Sequence, residues 1–378
     1  MRHGCCSIQG ATMSTLRTWV SLAIWLISGM LLLVIALPTA APGRAQGSTS
    51  PLPVLAYYYI WFDRTSWNRA KSDYPQLGRY SSDDPEIMRQ HIQWAKQAGI
   101  TGFIVSWKST EKLNQRLRQL IEIADAEQFK LAIIYQGLDF DRDRLPPDRV
   151  AADLAFFADQ YAGDQAFRLF ARPLVIWSGT WEYSRDEIDK VARPLRDRLL
   201  VLAAEKNVEG YQRLADVVDG NTYYWSSVDP AQDVGYQEKL NALGKAIHAN
   251  GGLWIAPAAP GYDSRLLGGR REVARDDGAT LRQEMDAALR SSPDAIGLIS
   301  WNEFSENSHI EPSITHGMRY LEVLADLRGA RMPAGADFDS STPGDTLVRS
   351  SNVILLAALL LVIVLSFAVT AWRSSRQS

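Results

Sequence analysis

Cysteine is almost missing from this chain. The sequence holds only Cys5 and Cys6, both ahead of the first apolar stretch. The remainder therefore offers no thiol nucleophile, no thiolate metal site and no disulfide. A body built this way must rest on a core large enough to need no covalent staples. Charge of one sign is not in excess either. Forty Lys and Arg against 43 Asp and Glu leave a net charge of −3, and no basic run occurs between the two ends, so nothing points to a nucleic-acid partner. No serine sits in a G-x-S-x-G elbow and no Walker loop is present. His309 has no H-x-x-x-H partner and no His–carboxylate cluster beside it in the sequence, which favours a structural histidine over a ligand. No metal or other cofactor is expected.

Long apolar runs occur only at the two ends. Residues 20–37 form one, with Arg17 ahead of it and Gly43-Arg44-Ala45 after it as a plausible cleavage point. Residues 1–45 are expected to be a signal peptide, or an N-terminal anchor if uncut, with Met13 as a second possible start. Residues 353–372 carry no charge over a length that spans a bilayer core, and Arg373 and Arg376 follow at once. The positive-inside rule places those arginines in the cytoplasm. The expected order is thus a body over 51–328, a flexible linker over 329–351, a transmembrane helix over 352–372 and a cytoplasmic tail over 373–378. On that plan the chain is a single-pass cell-membrane protein whose body faces the extracellular side.

Within the body a unit recurs: a short apolar run, a polar loop and an amphipathic helix. The runs cover 53–61, 100–107, 130–135, 173–177, 199–203, 217–224, 252–256 and 295–300. They are continuous rather than alternating, as expected of parallel strands buried on both faces. Asp84 followed by Pro85 marks a helix start and Gly99 its stop. Leu113, Leu117, Leu120, Ile121 and Ala124 share one face of a helix over 111–127. Further helices are expected over 149–161, 185–196, 236–250, 280–291 and 314–327, and a short one over 209–215. Eight such units predict a single (β/α)8 barrel of the α/β class. A doubly wound open sheet is the competing architecture. It usually shows a Gly-rich phosphate loop after its first strand, where this chain has Tyr57-Tyr58-Tyr59-Ile60-Trp61-Phe62.

In such barrels the chemistry sits where strands end. Those positions hold Tyr58, Tyr59, Trp61, Trp107, Tyr135, Trp177, Tyr223, Tyr224, Trp225 and Tyr262. Aromatic faces stack on the C–H faces of sugar rings, so their recurrence suggests a carbohydrate cleft. The eighth run leads into Trp301-Asn302-Glu303-Phe304-Ser305-Glu306 and on to Glu311, three carboxylates within nine residues. Glu303 and Glu306 are three apart, so a tight turn or helical start lets both face one cavity. Glycosidic cleavage needs such a pair, one group protonated and the other ionised, and proximity itself separates their pKa values.

These residues resemble glycoside hydrolase family 99, the endo-α-mannosidase family. Tyr58-Tyr59-Ile60-Trp61-Phe62 is similar to its opening Y-Y-x-W-Y, and Leu77-Gly78-Arg79-Tyr80-Ser81-Ser82-Asp83-Asp84-Pro85 to its L-G-x-Y-S-S-x-D-P. Ala98-Gly99-Ile100, Val105-Ser106-Trp107 and Pro260-Gly261-Tyr262 match further segments in order. Asn302-Glu303-Phe304-Ser305-Glu306, continuing to Ile310-Glu311-Pro312, resembles N-E-W-H-E-G-T-Q-I-E-P. The resemblance implies Glu306 as the acid/base on the leaving oxygen. It implies Glu303 as the base on the sugar's own 2-hydroxyl, which gives a 1,2-anhydro sugar and net retention without a metal. Tyr58, Tyr59, Trp61, Trp107, Gln136, Tyr223, Tyr224, Trp225, Tyr262, Asn302 and Glu311 are the expected glycan-binding residues. The sequence departs from the pattern at several points. The family's third strand ends in H-I-E-P-Y, where this chain has Ile134-Tyr135-Gln136-Gly137. Ser305 and Asn307 replace a His and a Gly, and the loop after the first strand is short. The expected activity is therefore cleavage of an α-linked glycan, mannan being one candidate. An endo-α-1,3-glucanase-like hydrolase, a transglycosylase and a silent glycan-binding surface protein are the alternatives.

Overall fold

The computed structural model describes residues 51–330, apart from residue 140, together with Met332. The expected signal segment, the two cysteines, the transmembrane helix, the tail and nearly all of the linker lie outside the described residues. Among those described, no helix is long and apolar enough to cross a membrane.

Eight strands close into a parallel barrel: β1 (Val54–Tyr59), β2 (Gly102–Trp107), β3 (Lys130–Gln136), β4 (Leu174–Ser178), β5 (Leu200–Ala203), β6 (Gly220–Thr222), β7 (Leu253–Ala258) and β10 (Ala295–Leu298). The ring closes where β10 returns to β1, with Val54 opposite Ile296 and Ala56 opposite Leu298. A small antiparallel hairpin, β8 (Tyr262–Asp263) and β9 (Glu272–Val273), rises between β7 and β10. All eight expected strands are present. The sixth is the shortest, because only Gly220–Thr222 pairs out of the longer apolar run.

Each barrel strand buries side chains on both sides. Leu55, Tyr57, Ile104, Ile134, Ile176, Leu202 and Ile255 fill the barrel interior. Val54, Ala56, Tyr58, Phe103, Val105 and Ile133 pack outward against the helices. This double burial is why the strand sequences are continuously apolar. Gly297 on β10 makes room inside, since a Cβ there would lie 3.0 Å from the Tyr57 ring.

The helices are α1 (Pro85–Gln97), α2 (Glu111–Ala126), α3 (Pro147–Gln160), α4 (Arg185–Ala192), α5 (Val208–Gln212), α6 (Tyr236–Ala249), α7 (Ala279–Arg290) and α8 (Arg319–Arg328). Asp84 caps α1 by accepting from the Glu86 N–H at 3.0 Å, with Pro85 in the first turn. Met88, His91, Ile92, Trp94 and Ala95 form the buried face of that helix. On α2 the buried Arg116 bridges Asp63 and Asp83 at 2.6 Å each and donates to the Ile60 carbonyl. It thereby fastens the loop after β1 to the helix layer. The last helix begins at Arg319 rather than near residue 314. The intervening chain is tied down by reciprocal Ser313–Gly317 backbone bonds and by Ile314 N–H to Tyr74 O.

Candidate active site

The segment after β10 is built by its own hydrogen bonds. Ser300 accepts from the Glu303 N–H at 2.8 Å, and the Ser300 carbonyl accepts from Ile310 N–H at 2.9 Å. The Asn302 amide spans to β1, accepting from Tyr59 N–H at 2.8 Å and donating to Tyr59 O at 3.0 Å. Glu303 and Glu306 are thus held at the C-terminal mouth of the barrel. Both line one cleft of about 630 Å³ with Trp61, Ser106, Trp107 and Gln136. That volume lies in the range of small-molecule binding clefts, about 300–1,000 Å³.

The two carboxyls differ electrostatically. Burial, then the charge of Glu306, pushes Glu303 up to about 7, while the Ser305 N–H and Lys71 oppose the rise. Glu306 is also raised by burial, with the Arg142 guanidinium opposing it. Lys71 donates to Ser305 Oγ at 2.9 Å, and the Ser305 N–H donates to Glu303 Oε1 at 3.0 Å. This relay favours an ionised Glu303. Beside the pair, the Tyr59 and Tyr224 hydroxyls are hydrogen-bonded to each other. Burial and the neighbouring carboxylates push the Tyr59 phenol far up, so it stays a neutral donor. Trp61 stacks on the Tyr59 ring at 4.4 Å and is 42% exposed, which leaves it as the open aromatic platform of the cleft.

The expected site residues divide into groups. Trp61, Trp107, Gln136, Glu303 and Glu306 meet in the cleft. Gln136 donates to Ser106 Oγ at 3.1 Å, and the buried Trp107 donates its Nε1–H to Asn114 Oδ1 at 2.9 Å. Tyr224 joins Tyr59 beside the carboxyls. Tyr262 opens the hairpin whose Asp263 N–H donates to Glu306 O at 2.7 Å. Trp225 belongs to another part of the rim, against Trp181 and with Lys206 over both rings.

Four expected binding residues do not face the cleft. Tyr58 and Tyr223 lie on the outer side of the barrel because successive strand side chains alternate. Tyr58 bonds His91 at 3.0 Å, and Tyr223 accepts from Lys239 at 3.0 Å. Asn302 is fully buried in its β1 contacts. Glu311 is buried too, accepting from Tyr80 at 2.9 Å and meeting His91 Nε2 at 3.1 Å.

His309 does acquire a cluster, contributed from distant sequence: Asp73, His309 and His316 hold ligand-type atoms within 4.8 Å of one another. Arg275 donates to His309 Nδ1 at 3.3 Å, and His309 Nε2 meets Asp73 at 3.3 Å. Burial and the Arg275 charge push His309 down to about 3, so it is neutral. Both its nitrogens are engaged and a guanidinium borders the cluster. These features fit a hydrogen-bond assembly that fixes the 307–316 segment better than a cation site. Sequence reading missed Arg69, Lys71, Lys108, Asp139 and Arg142, which also line the cleft. They lie in loops without periodicity, and their one signal is position after β1, β2 and β3.

The family model for glycosyl hydrolase family 99 matches residues 63–328. The human glycoprotein endo-alpha-1,2-mannosidase-like protein is 24% identical, over 67% of this chain and 60% of its own length. The rat glycoprotein endo-alpha-1,2-mannosidase is 21% identical, over 64% of this chain and 57% of its own. The chain thus spans about 60% of the length of these curated relatives. The solved structure of the GH99 endo-alpha-mannosidase from Bacteroides thetaiotaomicron superposes with a TM-score of 0.64 at 19% identity, covering 74% of this chain and 98% of that one. At that identity the likeness establishes the fold alone.

Proposed function

The chain belongs to glycosyl hydrolase family 99, and on that premise we propose that it is a glycoside hydrolase cleaving an α-linked, mannose-containing glycan. The observation that carries the reading is the convergence of Glu303 and Glu306 in one cleft beside an exposed tryptophan face. The names of the human and rat relatives support the mannose linkage. In the proposed reaction Glu306 gives its proton to the leaving oxygen. Glu303 takes the proton of the sugar's 2-hydroxyl, whose oxygen attacks the anomeric carbon. A 1,2-anhydro sugar forms; water then attacks the anomeric carbon, giving a proton to Glu306, while the C1–O2 bond breaks and Glu303 returns its proton to O2, so the configuration is retained. The Lys71–Ser305–Glu303 relay supports an ionised Glu303 in this role.

One observation favours a second assignment with the two roles exchanged. Glu303 is the carboxyl pushed to about 7, and Arg142 opposes protonation of Glu306. Variants Glu303→Gln and Glu306→Gln separate the two. A positioned acid or base contributes about 10²–10⁴-fold, so each change is expected to cut turnover of α-mannosides by that order. An aryl glycoside with a good leaving group needs little protonation, so it should restore part of the rate to the acid variant only. Restoration in Glu306→Gln supports the first assignment, and restoration in Glu303→Gln the second. Near-normal turnover in both variants removes the pair from catalysis altogether.

We also propose that the body is displayed outside the cell and held by residues 352–372. The support is the uncharged run over 353–372 followed by Arg373 and Arg376. Protease added to intact cells expressing the chain should release the body; a protected body with a trimmed tail reverses the orientation.

A further inference from the structure

The cleft carries more positive charge than a neutral sugar requires. Three consecutive loops each supply a cation to its lining: Arg69 and Lys71 after β1, Lys108 after β2, and Arg142 after β3. Besides the two glutamates, the one acidic lining residue among those described is Asp139. Its carboxylate is already engaged, accepting the backbone N–H groups of Asp141 and Asp143 at 2.9 Å each. Lys71 is committed to Ser305, and Lys108 donates to the Leu138 carbonyl.

Arg69 and Arg142 stand apart. Among the described residues neither guanidinium takes part in a side-chain hydrogen bond or an ion pair. Several arginines elsewhere in the body are matched, among them Arg116 with Asp63 and Asp83 and Arg265 with Asp263 and Glu272; Arg69 and Arg142 differ from the other unmatched ones in lining the cleft. A guanidinium presents a planar fork of donors that fits a carboxylate or phosphate with two parallel hydrogen bonds. Gathering cations on one arc also has a cost. Lys71 is held below its usual value by burial and, in smaller part, by Arg69. A bound anion relieves that repulsion, whereas a neutral glycan leaves it in place.

We infer that the cleft takes an α-linked glycan bearing an anionic group, a phosphate ester or a uronate carboxylate, and that Arg69 and Arg142 recognise it. This rests on the glycosidase reading and narrows its substrate. It also bears on the chemistry. Arg142 is the cation that opposes protonation of Glu306, so an anion paired to Arg142 weakens that opposition. Binding the charged glycan then helps Glu306 hold the proton it has to donate.

The test uses the full chain and three matched α-linked manno-oligosaccharides: neutral, phosphorylated, and carrying a uronate. Binding is read by calorimetry and cleavage by product release, as separate measurements. Hydrogen bonds to charged groups are strong enough that at least one anionic form should bind about tenfold tighter than the neutral one at low salt. Which form wins identifies the anion. The ratio should shrink as salt screens the charges. It should fall toward one in the double variant Arg69→Gln/Arg142→Gln. The control Arg282→Gln, which breaks an ion pair with Asp326 between the outer helices α7 and α8, should keep it. Equal or weaker binding of both anionic glycans overturns the inference, as does a preference that survives in the double variant. Cleavage of all three glycans without preference removes the inference and leaves the hydrolase reading. An anionic preference in binding with no cleavage of any glycan does the reverse.

Discussion

At the residue scale the two clefted glutamates behave as one titrating unit. Burial raises both, and the Glu306 charge raises Glu303 further, so the working form is expected to hold one carboxyl protonated and the other ionised. Below the lower transition both carboxyls are protonated and no base remains. Glu303 titrates near 7, so with Glu303 as the base activity rises as pH passes through that value, and with the roles exchanged it falls there because the acid loses its proton. One limb of the kcat/KM profile is therefore expected near neutrality, the acid limb if Glu303 is the base and the alkaline limb if it is the acid; a profile flat across neutrality contradicts both assignments. Because the Glu306 charge is the second cause of the Glu303 shift, Glu306→Gln should lower the Glu303 value, read by carboxyl NMR titration. Glu311 offers the contrast. It is buried with Tyr80 and His91 and does not face the cleft, so Glu311→Ala should act on stability. Leaving buried polar partners unpaired costs about 1–3 kcal/mol, a loss that thermal unfolding would register. The sequence shows Glu303 and Glu306 plainly, as carboxylates leaving a strand at the mouth of a barrel. It leaves Glu311 among the expected glycan-binding residues, because only the backbone path after residue 306 turns that side chain inward. Arg69, Lys71 and Arg142 are invisible in it for another reason. A charge in an aperiodic loop looks the same whether it faces a cleft or bulk water.

At the element scale, legibility follows burial. Strands covered on both sides are continuous apolar runs, and all eight are readable. Helices with a polar cap, such as Asp84 before α1 and Ser184 before α4, announce their starts. What an apolar run conceals is which side each residue takes. In Tyr57-Tyr58-Tyr59 the outer two side chains go inside and the middle one goes to the helices, so counting aromatics at strand ends overstates the cleft. The α6–α7 contact holds a buried carboxyl with a measurable consequence. Glu284 on α7 is buried, accepts from Tyr236 on α6 at 2.8 Å, and is pushed by burial from 4.5 up to about 8. Its folded value exceeds its unfolded one, so the folded state binds the proton more tightly. Stability from this group is complete below about 4.5 and is lost as pH rises through about 8. Glu284→Gln should therefore flatten the decline of the unfolding midpoint across that window and stabilise the protein at its alkaline end. An unchanged slope would mean that water reaches the carboxyl.

At the scale of the whole molecule the question is which residues the barrel needs. The ladder closes between residues 54–56 and 296–298, so its first and last strands pair with each other. The helix layer closes later. On α8, Tyr320, Leu321, Val323, Leu324 and Ala325 are buried, and Gly329 ends the helix in the left-handed region at φ 65. Ala330 N–H then returns to Ala325 O, and Met332 packs against the core, so the body runs slightly past residue 328. A chain ending after Met332 should consequently stay soluble and unfold cooperatively at the midpoint of the parent. Ending it before Arg319 should not. Fully burying a Leu or Val side chain contributes about 1.5–3 kcal/mol, and losing Leu321, Val323 and Leu324 with the Tyr320 ring approaches the roughly 5–15 kcal/mol that holds a whole domain together. The same cut exposes the apolar faces of α1 and α7 that α8 covers, so aggregation is the expected outcome. Thermal unfolding of the two truncations beside the parent decides the matter. A folded product from the shorter chain would show that the ring of strands is self-sufficient and that α8 is an accessory to it.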